Sequence, residues 1–220
     1  MNTIEYPLRE TWPDLLKRPT TTYESIEPIV HGVFNDVRKN GDEALKTYTQ
    51  KFDGVSLSKI AVNEDEIQAA SAALSSELKE AIQLAKNNIE TFHKAQRTQR
   101  ISVETAPGVQ CWQEKRPIAK VGLYIPGGTA PLFSSILMLA LPAKIAGCKE
   151  IVLCSPPDKS GNLNPAILYT AQLCGVTQIF KVGGIQAIAA MTFGTESIPK
   201  TYKIFGPGNQ YVTVAKQVAT

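Results

Sequence analysis

The chain has 220 residues, of which 43% are hydrophobic, so it can bury a core and does not resemble a disordered protein. Its formal net charge is only +3, with lysine and arginine scattered along the sequence, which argues against nucleic-acid binding. No stretch reaches the roughly 18 apolar residues of a membrane span. The four cysteines lack CxxC spacing and indicate buried, reduced thiols of a cytoplasmic protein.

The first part of the chain is predicted to be mainly helical. Residues 1–19 contain three prolines separated by apolar residues, which is typical of an extended N-terminal arm. Residues 22–40 carry an apolar helical period that stops at Gly41, and a short helix follows. Asn63 and Glu66 have the spacing of a capping box, which predicts the start of another helix.

Strands replace helices after a further helix at about residues 76–97. Residues 101–115 alternate around a Pro-Gly pair, which predicts a small β-hairpin. Residues 20–117 are therefore interpreted as the mainly helical part of an incomplete first domain. From Pro117 onward the strands are almost continuously apolar, as expected for a parallel sheet that is covered on both faces. A second domain is predicted at residues 118–220.

This second domain repeats the order strand, tight turn and helix four times. The strands and their turns cover residues 121–128, 151–157, 179–186 and 202–209. Such a repeat predicts an α/β fold with a doubly wound parallel sheet. Ligands of these sheets bind beyond the carboxyl ends of the strands, which is where the four turns fall.

Three glycine turns at that edge indicate a small-molecule site: Gly127-Gly128, Gly183-Gly184 and Gly206-Pro-Gly208. Each precedes a helix N-terminus, which attracts anions, although the glycines could instead only close tight turns. The dinucleotide fingerprint GxGxxG is absent. The second strand ends at Cys154-Ser155-Pro156, without the acid that usually binds a ribose diol. A nicotinamide cofactor would therefore bind in an atypical way.

Three polar side chains at these turns are candidate ligand contacts. Gln186 and Asn209 each open a helix, so their amides could bind a ligand. The alternative is N-capping, which asparagine does well and glutamine does not. Tyr124 ends the first strand, where its ring could be core or could stack on a ligand. No catalytic constellation is visible, and His31 and His93 have no partner at metal-ligand spacing.

Seven short blocks follow one another through the second half of the chain. They cover residues 116–128, 130–134, 145–148, 171–175, 183–190 and 193–196, and end with Lys203-Ile-Phe-Gly-Pro-Gly-Asn209. With these blocks the chain resembles the histidinol dehydrogenase family. The first half fits as well, with Asn40-Gly-Asp-Glu-Ala-Leu45, so the resemblance covers essentially the whole chain.

The resemblance implies an enzyme of histidine biosynthesis that oxidises L-histidinol to L-histidine through an aldehyde, with NAD as the oxidant. It also implies that the NAD contacts fall on Tyr124, Gln186 and Asn209, in an incomplete Rossmann-like domain without the usual fingerprint. Members of the family require zinc and form homodimers with intertwined subunits.

The family's zinc ligands and its catalytic Glu-His pair lie beyond residue 220, so no catalytic residue and no metal ligand is assigned here. We therefore expect an N-terminal fragment of the enzyme that is inactive alone, binds no zinc and self-associates. The alternative is a non-catalytic nucleotide-binding or assembly module. A stop codon directly after codon 220 would favour that alternative.

Overall fold

The computed structural model describes residues 3–17, 23–128 and 130–219. Part of the predicted arm, at positions 1, 2, 18 and 19, lies outside the described residues, as does the predicted helix start at position 22. The described part of the arm is not extended throughout, because a 3-10 turn at Arg9–Thr11 leads into helix α1 at Trp12–Leu15. Pro13 lies in the first turn of α1, where its missing N–H leaves no hydrogen bond unmade. The sequence pattern did not predict this turn.

The predicted helices and the hairpin of the first part are confirmed. The elements are α2 (Tyr23–Phe52), α3 (Glu64–Ala73), α4 (Ser76–Ala95), β1 (Ile101–Ala106) and β2 (Val109–Gln113). Asn63 caps α3 with both bonds of the predicted capping box: its side chain accepts from the Glu66 N–H at 2.9 Å, and its own N–H donates to the Glu66 carboxylate at 3.0 Å. The antiparallel hairpin pairs Ile101 with Gln113, and every residue of its two strands is exposed.

Helix α2 is kinked where the sequence predicted a stop. Gly41 has φ 50 and ψ −129, values that a residue with a side chain rarely adopts. The second half of the helix, which starts at Asp42, is capped from a distant loop. The Asp42 N–H donates to Glu196 at 2.7 Å, and the Asp42 carboxylate accepts from the backbone and hydroxyl of Ser197. These bonds fasten α2 to Glu196 and Ser197, which lie about 150 residues further along the chain.

The second part forms a four-stranded parallel sheet with helices on both faces, which confirms the predicted α/β fold. Its elements are β3 (Lys120–Tyr124), α5 (Phe133–Ala146), β4 (Glu150–Cys154), α6 (Pro165–Cys174), β5 (Gln178–Phe180), α7 (Gly184–Phe193), β6 (Lys203–Phe205) and α8 (Gln210–Val218). The strand order is β5-β4-β3-β6. From β3 the chain adds β4 and β5 on one side, and it then crosses over to add β6 on the other side of β3. Doubly wound sheets bind their ligands at the strand ends beside such a crossover point, here between β3 and β6.

Two apolar cores lie on the two faces of the sheet. One face packs against α7 and α8, which are covered in turn by α2. The other face packs against α5 and α6, which are covered by α4 and α3 respectively. The helices before residue 117 therefore share both cores with the sheet that follows. Within the described ranges, none of the helices has the length and apolar character that spanning a membrane requires.

Candidate functional site

A cleft of about 700 Å³ opens at the carboxyl ends of the strands. It is lined by residues from six places in the chain: Ile29, Phe52, Asp53, Tyr124, Pro126, Gly127, Gly128, Pro156, Pro157, Gly184, Ile185, Asn209 and Tyr211. The turns after β3 and β4 and the starts of α7 and α8 thus meet at one edge, as the sequence predicted. One wall of the cleft comes from α2, which the sequence patterns had not connected to the site.

Tyr124 belongs both to the apolar core and to the cleft. The residue is only 4% exposed, and its hydroxyl oxygen accepts the Gly184 N–H at 3.0 Å. Burial raises the pKa of Tyr124, the Gly184 N–H opposes that rise, and the negative charge of Asp53 adds to it. The phenol therefore keeps its proton at neutral pH, and after accepting from Gly184 it can still donate one hydrogen bond to a ligand.

Gln186 lies inside α7 and is 0% exposed. Neither its Oε1 nor its Nε2 atom has a hydrogen-bond partner among the residues that the structure describes. Oε1 lies 2.9 Å from the place that a side chain on Gly184 would occupy, so the amide sits directly behind the glycine turn. A buried amide without partners costs about 1–3 kcal/mol, so its position in the fold calls for an explanation. Its proposed ligand contact stays a prediction.

Asn209 is exposed at the start of α8 and lines the cleft. Its side-chain oxygen accepts the Val212 N–H at 3.1 Å, so it does act as the N-cap that the sequence offered as an alternative. This bond uses the oxygen only and leaves the amide N–H groups as donors. Capping and ligand binding are therefore compatible at Asn209.

The turn before Asn209 is pressed against the end of β3. Gly206 has φ 144, and a β-carbon there would stand 2.0 Å from the carbonyl oxygen of Tyr124. Only glycine permits so close an approach of two backbones. The contact holds the start of α8 beside the end of β3, and so brings Asn209 to the same cleft as Tyr124.

Asp53 is the functional candidate that the sequence reasoning missed. It directly follows α2, is half-buried and lines the cleft. Its Oδ2 atom is shielded from solvent and has no hydrogen-bond partner in the described part of the chain. Burial raises the pKa of Asp53, and the nearby Lys159 ammonium lowers it. No local signal marks this residue, because Asp-Gly after a helix is typical of an ordinary turn.

Known proteins resemble this chain along its whole length. The family model for histidinol dehydrogenase matches residues 16–220. The histidinol dehydrogenase of Bacteroides thetaiotaomicron is 61% identical over 220 residues, which are 100% of this chain and 51% of that protein. The Escherichia coli K12 enzyme is 57% identical over 204 residues, covering 92% of this chain and 46% of that protein. The chain belongs to the histidinol dehydrogenase family.

A solved histidinol dehydrogenase shares the fold. The crystal structure from Elizabethkingia anophelis aligns with a TM-score of 0.90 at 57% identity, over 97% of this chain and 49% of that one. The chain thus spans about half the length of the histidinol dehydrogenases it matches. The resemblance found from the sequence blocks is confirmed, and so is its extent over essentially the whole chain.

Metal-ligating side chains do not converge among the residues that the structure describes. Within 3–17, 23–128 and 130–219, no three histidine, cysteine, aspartate or glutamate residues are placed to hold a metal ion. His31 faces Glu27 at 3.5 Å on α2, and His93 contacts Gln96, the residue that caps the end of α4, at 2.7 Å. The four cysteines are free, but Cys111 is exposed. The prediction of buried thiols is confirmed for Cys154 and Cys174, whereas Cys148 is only partly buried. It was wrong for Cys111, because every residue of the hairpin strands is exposed.

Proposed function

We propose that this chain forms the cofactor-binding half of an enzyme that oxidises L-histidinol to L-histidine with NAD. The observation that supports it best is the cleft at the strand ends, where Tyr124, Gln186 and Asn209 meet at or directly behind the glycine turns. The oxidation of L-histidinol is proposed because the chain belongs to the histidinol dehydrogenase family. The same kinship supports a cytoplasmic, homodimeric enzyme of histidine biosynthesis, with L-histidinol as the substrate.

The residues of the cleft fit a dinucleotide. Its volume of about 700 Å³ lies within the range of small-ligand sites, and most of its lining is apolar. The N-termini of α7 and α8 at its rim offer partial positive charge to a pyrophosphate. Tyr124 and Asn209 each keep a donor for a ligand, and the unpaired Gln186 amide lies behind the turn. When bound, NAD supplies the acceptor for the hydride that leaves the alcohol carbon.

The described residues do not fit a zinc site, since no ligand cluster is present among them. No chemical step of this chain is therefore assigned to zinc. The residues here bind and orient the cofactor, and the groups that remove the alcohol proton are proposed to lie in the other half of the enzyme. For residues 1–220 alone, the cofactor-binding half of the enzyme and the alternative, a nucleotide-binding module, would therefore behave in the same way.

The activity is tested by joining residues 1–220 to the remaining half of the Bacteroides thetaiotaomicron relative. We expect this protein to reduce NAD when L-histidinol is added, because its two halves would come from proteins that are 61% identical over these 220 residues. The intact relative is the positive control. A folded joined protein that binds NAD but shows no histidinol-dependent reduction would contradict the proposed substrate.

Replacement of Gln186 by leucine separates the two explanations of its unpaired amide. If the amide serves NAD, affinity falls about tenfold, the value of one lost hydrogen bond of ~1.4 kcal/mol. If it is only a buried polar group, affinity is unchanged and the apolar isostere stabilises the fold, because an unsatisfied amide disappears. We expect weaker binding together with a higher melting temperature. Calorimetric titration with NAD and thermal unfolding measure both.

Thr192→Val offers a matched control for that experiment. Thr192 lies on the same helix as Gln186, and its hydroxyl donates to the Ile188 carbonyl at 2.7 Å. The substitution removes a polar group from α7 without touching the cleft, so NAD affinity should not change. An unchanged affinity in Gln186→Leu as well would remove Gln186 from the proposed contacts.

Self-association is expected from the exposed apolar hairpin. Ile101, Val103 and Trp112 are each at least half exposed, on strands that leave no residue buried. Exposed apolar strands of this kind promote association. Light scattering at micromolar concentration should therefore give a mass well above the 23.9 kDa of one chain. A mass of one chain would contradict the expectation.

The hairpin's part in this association is tested by Ile101→Glu combined with Val103→Glu, which should lower the measured mass. The control is Gln68→Glu combined with Ala69→Glu, which adds the same charge at two exposed positions of α3. Equal loss of association in both variants would show that net charge, rather than the hairpin, governs the mass.

A further inference from the structure

The sheet lacks an acid where dinucleotide-binding sheets usually carry one, but the structure places an acid from elsewhere in the cleft beside that strand end. In those folds, an aspartate or glutamate at the end of the second strand binds the ribose hydroxyls of the adenosine. Strand β4 is the second strand here, and Ser155, Pro156 and Pro157 follow it. Asp53 lines the same cleft as Pro156 and Pro157.

Contacts at Asp53 and just after it hold its segment against the loop after β4. The Lys159 ammonium donates to the Asp53 carbonyl oxygen at 3.4 Å. A side chain on Gly161 would meet Val55 at 3.5 Å and Leu57 at 3.3 Å, so residues 55–57 pack closely on that loop. The end of α2 and the end of β4 therefore form one wall of the cleft, and Asp53 is the acid in it.

The Asp53 carboxylate has unused capacity to accept hydrogen bonds. Its Oδ2 atom is buried without a partner in the part of the chain that the structure describes, and the lysine nearby bonds its backbone instead of its carboxylate. An ionised carboxylate is an acceptor only, so donors must come from a ligand. Two vicinal hydroxyls are donors of the right number and spacing, whereas a phosphate brings none and adds a like charge.

We propose that Asp53 binds the vicinal hydroxyls of the adenosine ribose of NAD, and that the helical region thereby supplies the acid that β4 lacks. This inference rests on the proposed NAD site. It also makes Asp53 a specificity-determining residue, because a 2′-phosphate in the place of the hydroxyl would be repelled. With the carboxylate neutralised, Lys159 would favour that phosphate.

The test is calorimetric titration of the chain with NAD, NADP and ADP-ribose. The wild type should bind NAD and ADP-ribose alike and NADP at least about tenfold more weakly. Asp53→Asn, which keeps the shape, should weaken NAD and ADP-ribose binding about tenfold or more and narrow the difference between NAD and NADP. Asp65→Asn is the control, since Asp65 is exposed on α3 and outside the cleft.

The outcomes separate this inference from the proposed function. If the wild type binds neither NAD nor ADP-ribose, the NAD site itself is overturned. If it binds NAD and the affinity is the same in Asp53→Asn, the site stands and the assignment of Asp53 falls. Comparing NADP with NAD on the wild type needs no substitution, so equal affinities would overturn the inference even if the variant failed to fold.

Discussion

Residues 1–220 alone are expected not to oxidise L-histidinol. Their rate of NAD reduction should be at least about 10⁴-fold below that of the intact Bacteroides relative. Oxidation of an alcohol needs a base for its proton and a group that holds its oxygen while hydride leaves. The titratable groups that line the cleft are Asp53, Tyr124 and Tyr211. Burial raises the pKa of Tyr124, so the phenol stays protonated at neutral pH and cannot accept the proton, and no described residues form a metal site.

The measurement is the absorbance of reduced NAD with and without L-histidinol, with added zinc and after dialysis against a chelator. The joined protein described above is the matched control, because it contains the same 220 residues. Histidinol-dependent turnover by the isolated residues would contradict the expectation and place the catalytic base within them. Stoichiometric zinc retained after dialysis would contradict the absence of zinc ligands that the sequence predicted.

Gly206→Ala is expected to lower the free energy of unfolding by about 3–5 kcal/mol and to abolish NAD binding. The added β-carbon would stand 2.0 Å from the Tyr124 carbonyl oxygen, and the φ of 144 is unfavourable for alanine. The clash would lie between a β-carbon and a backbone carbonyl oxygen, and neither can rotate away. Relieving it would therefore shift the end of β3 or the start of α8. The cleft between them should therefore be lost together with stability.

Gly32→Ala provides a control of opposite sign. Gly32 lies within α2, is exposed, and has no atom within 4 Å of the place that a β-carbon would occupy. Alanine is favoured over glycine in a helix by about 1 kcal/mol, so this variant should be more stable. Denaturant unfolding of both variants measures the difference. A Gly206→Ala protein as stable as the wild type would show that the two backbones do not meet as the structure has them.

Local patterns were sufficient for most of the fold. The apolar period before Gly41, the capping box of Asn63 and Glu66, and the glycine turns all depend on neighbours within a few residues, and the structure confirms each of them. The order of strands, turns and helices also predicted the edge at which the cleft lies. The Trp12–Leu15 helix of the arm was not predicted, because a four-residue segment carries too little periodicity.

The residues themselves determined that this is a parallel α/β protein with its glycine turns at one edge of the sheet, and seven matching blocks determined its family. Only the tertiary structure decided how the site is built. Asp53 and Pro156 are about a hundred positions apart, and no pattern of neighbouring residues could bring them to one wall. The bond between Tyr124 and Gly184, the unpaired amide of Gln186 and the Gly206 contact likewise arise from packing between distant segments, which depends on three-dimensional distance rather than on sequence spacing.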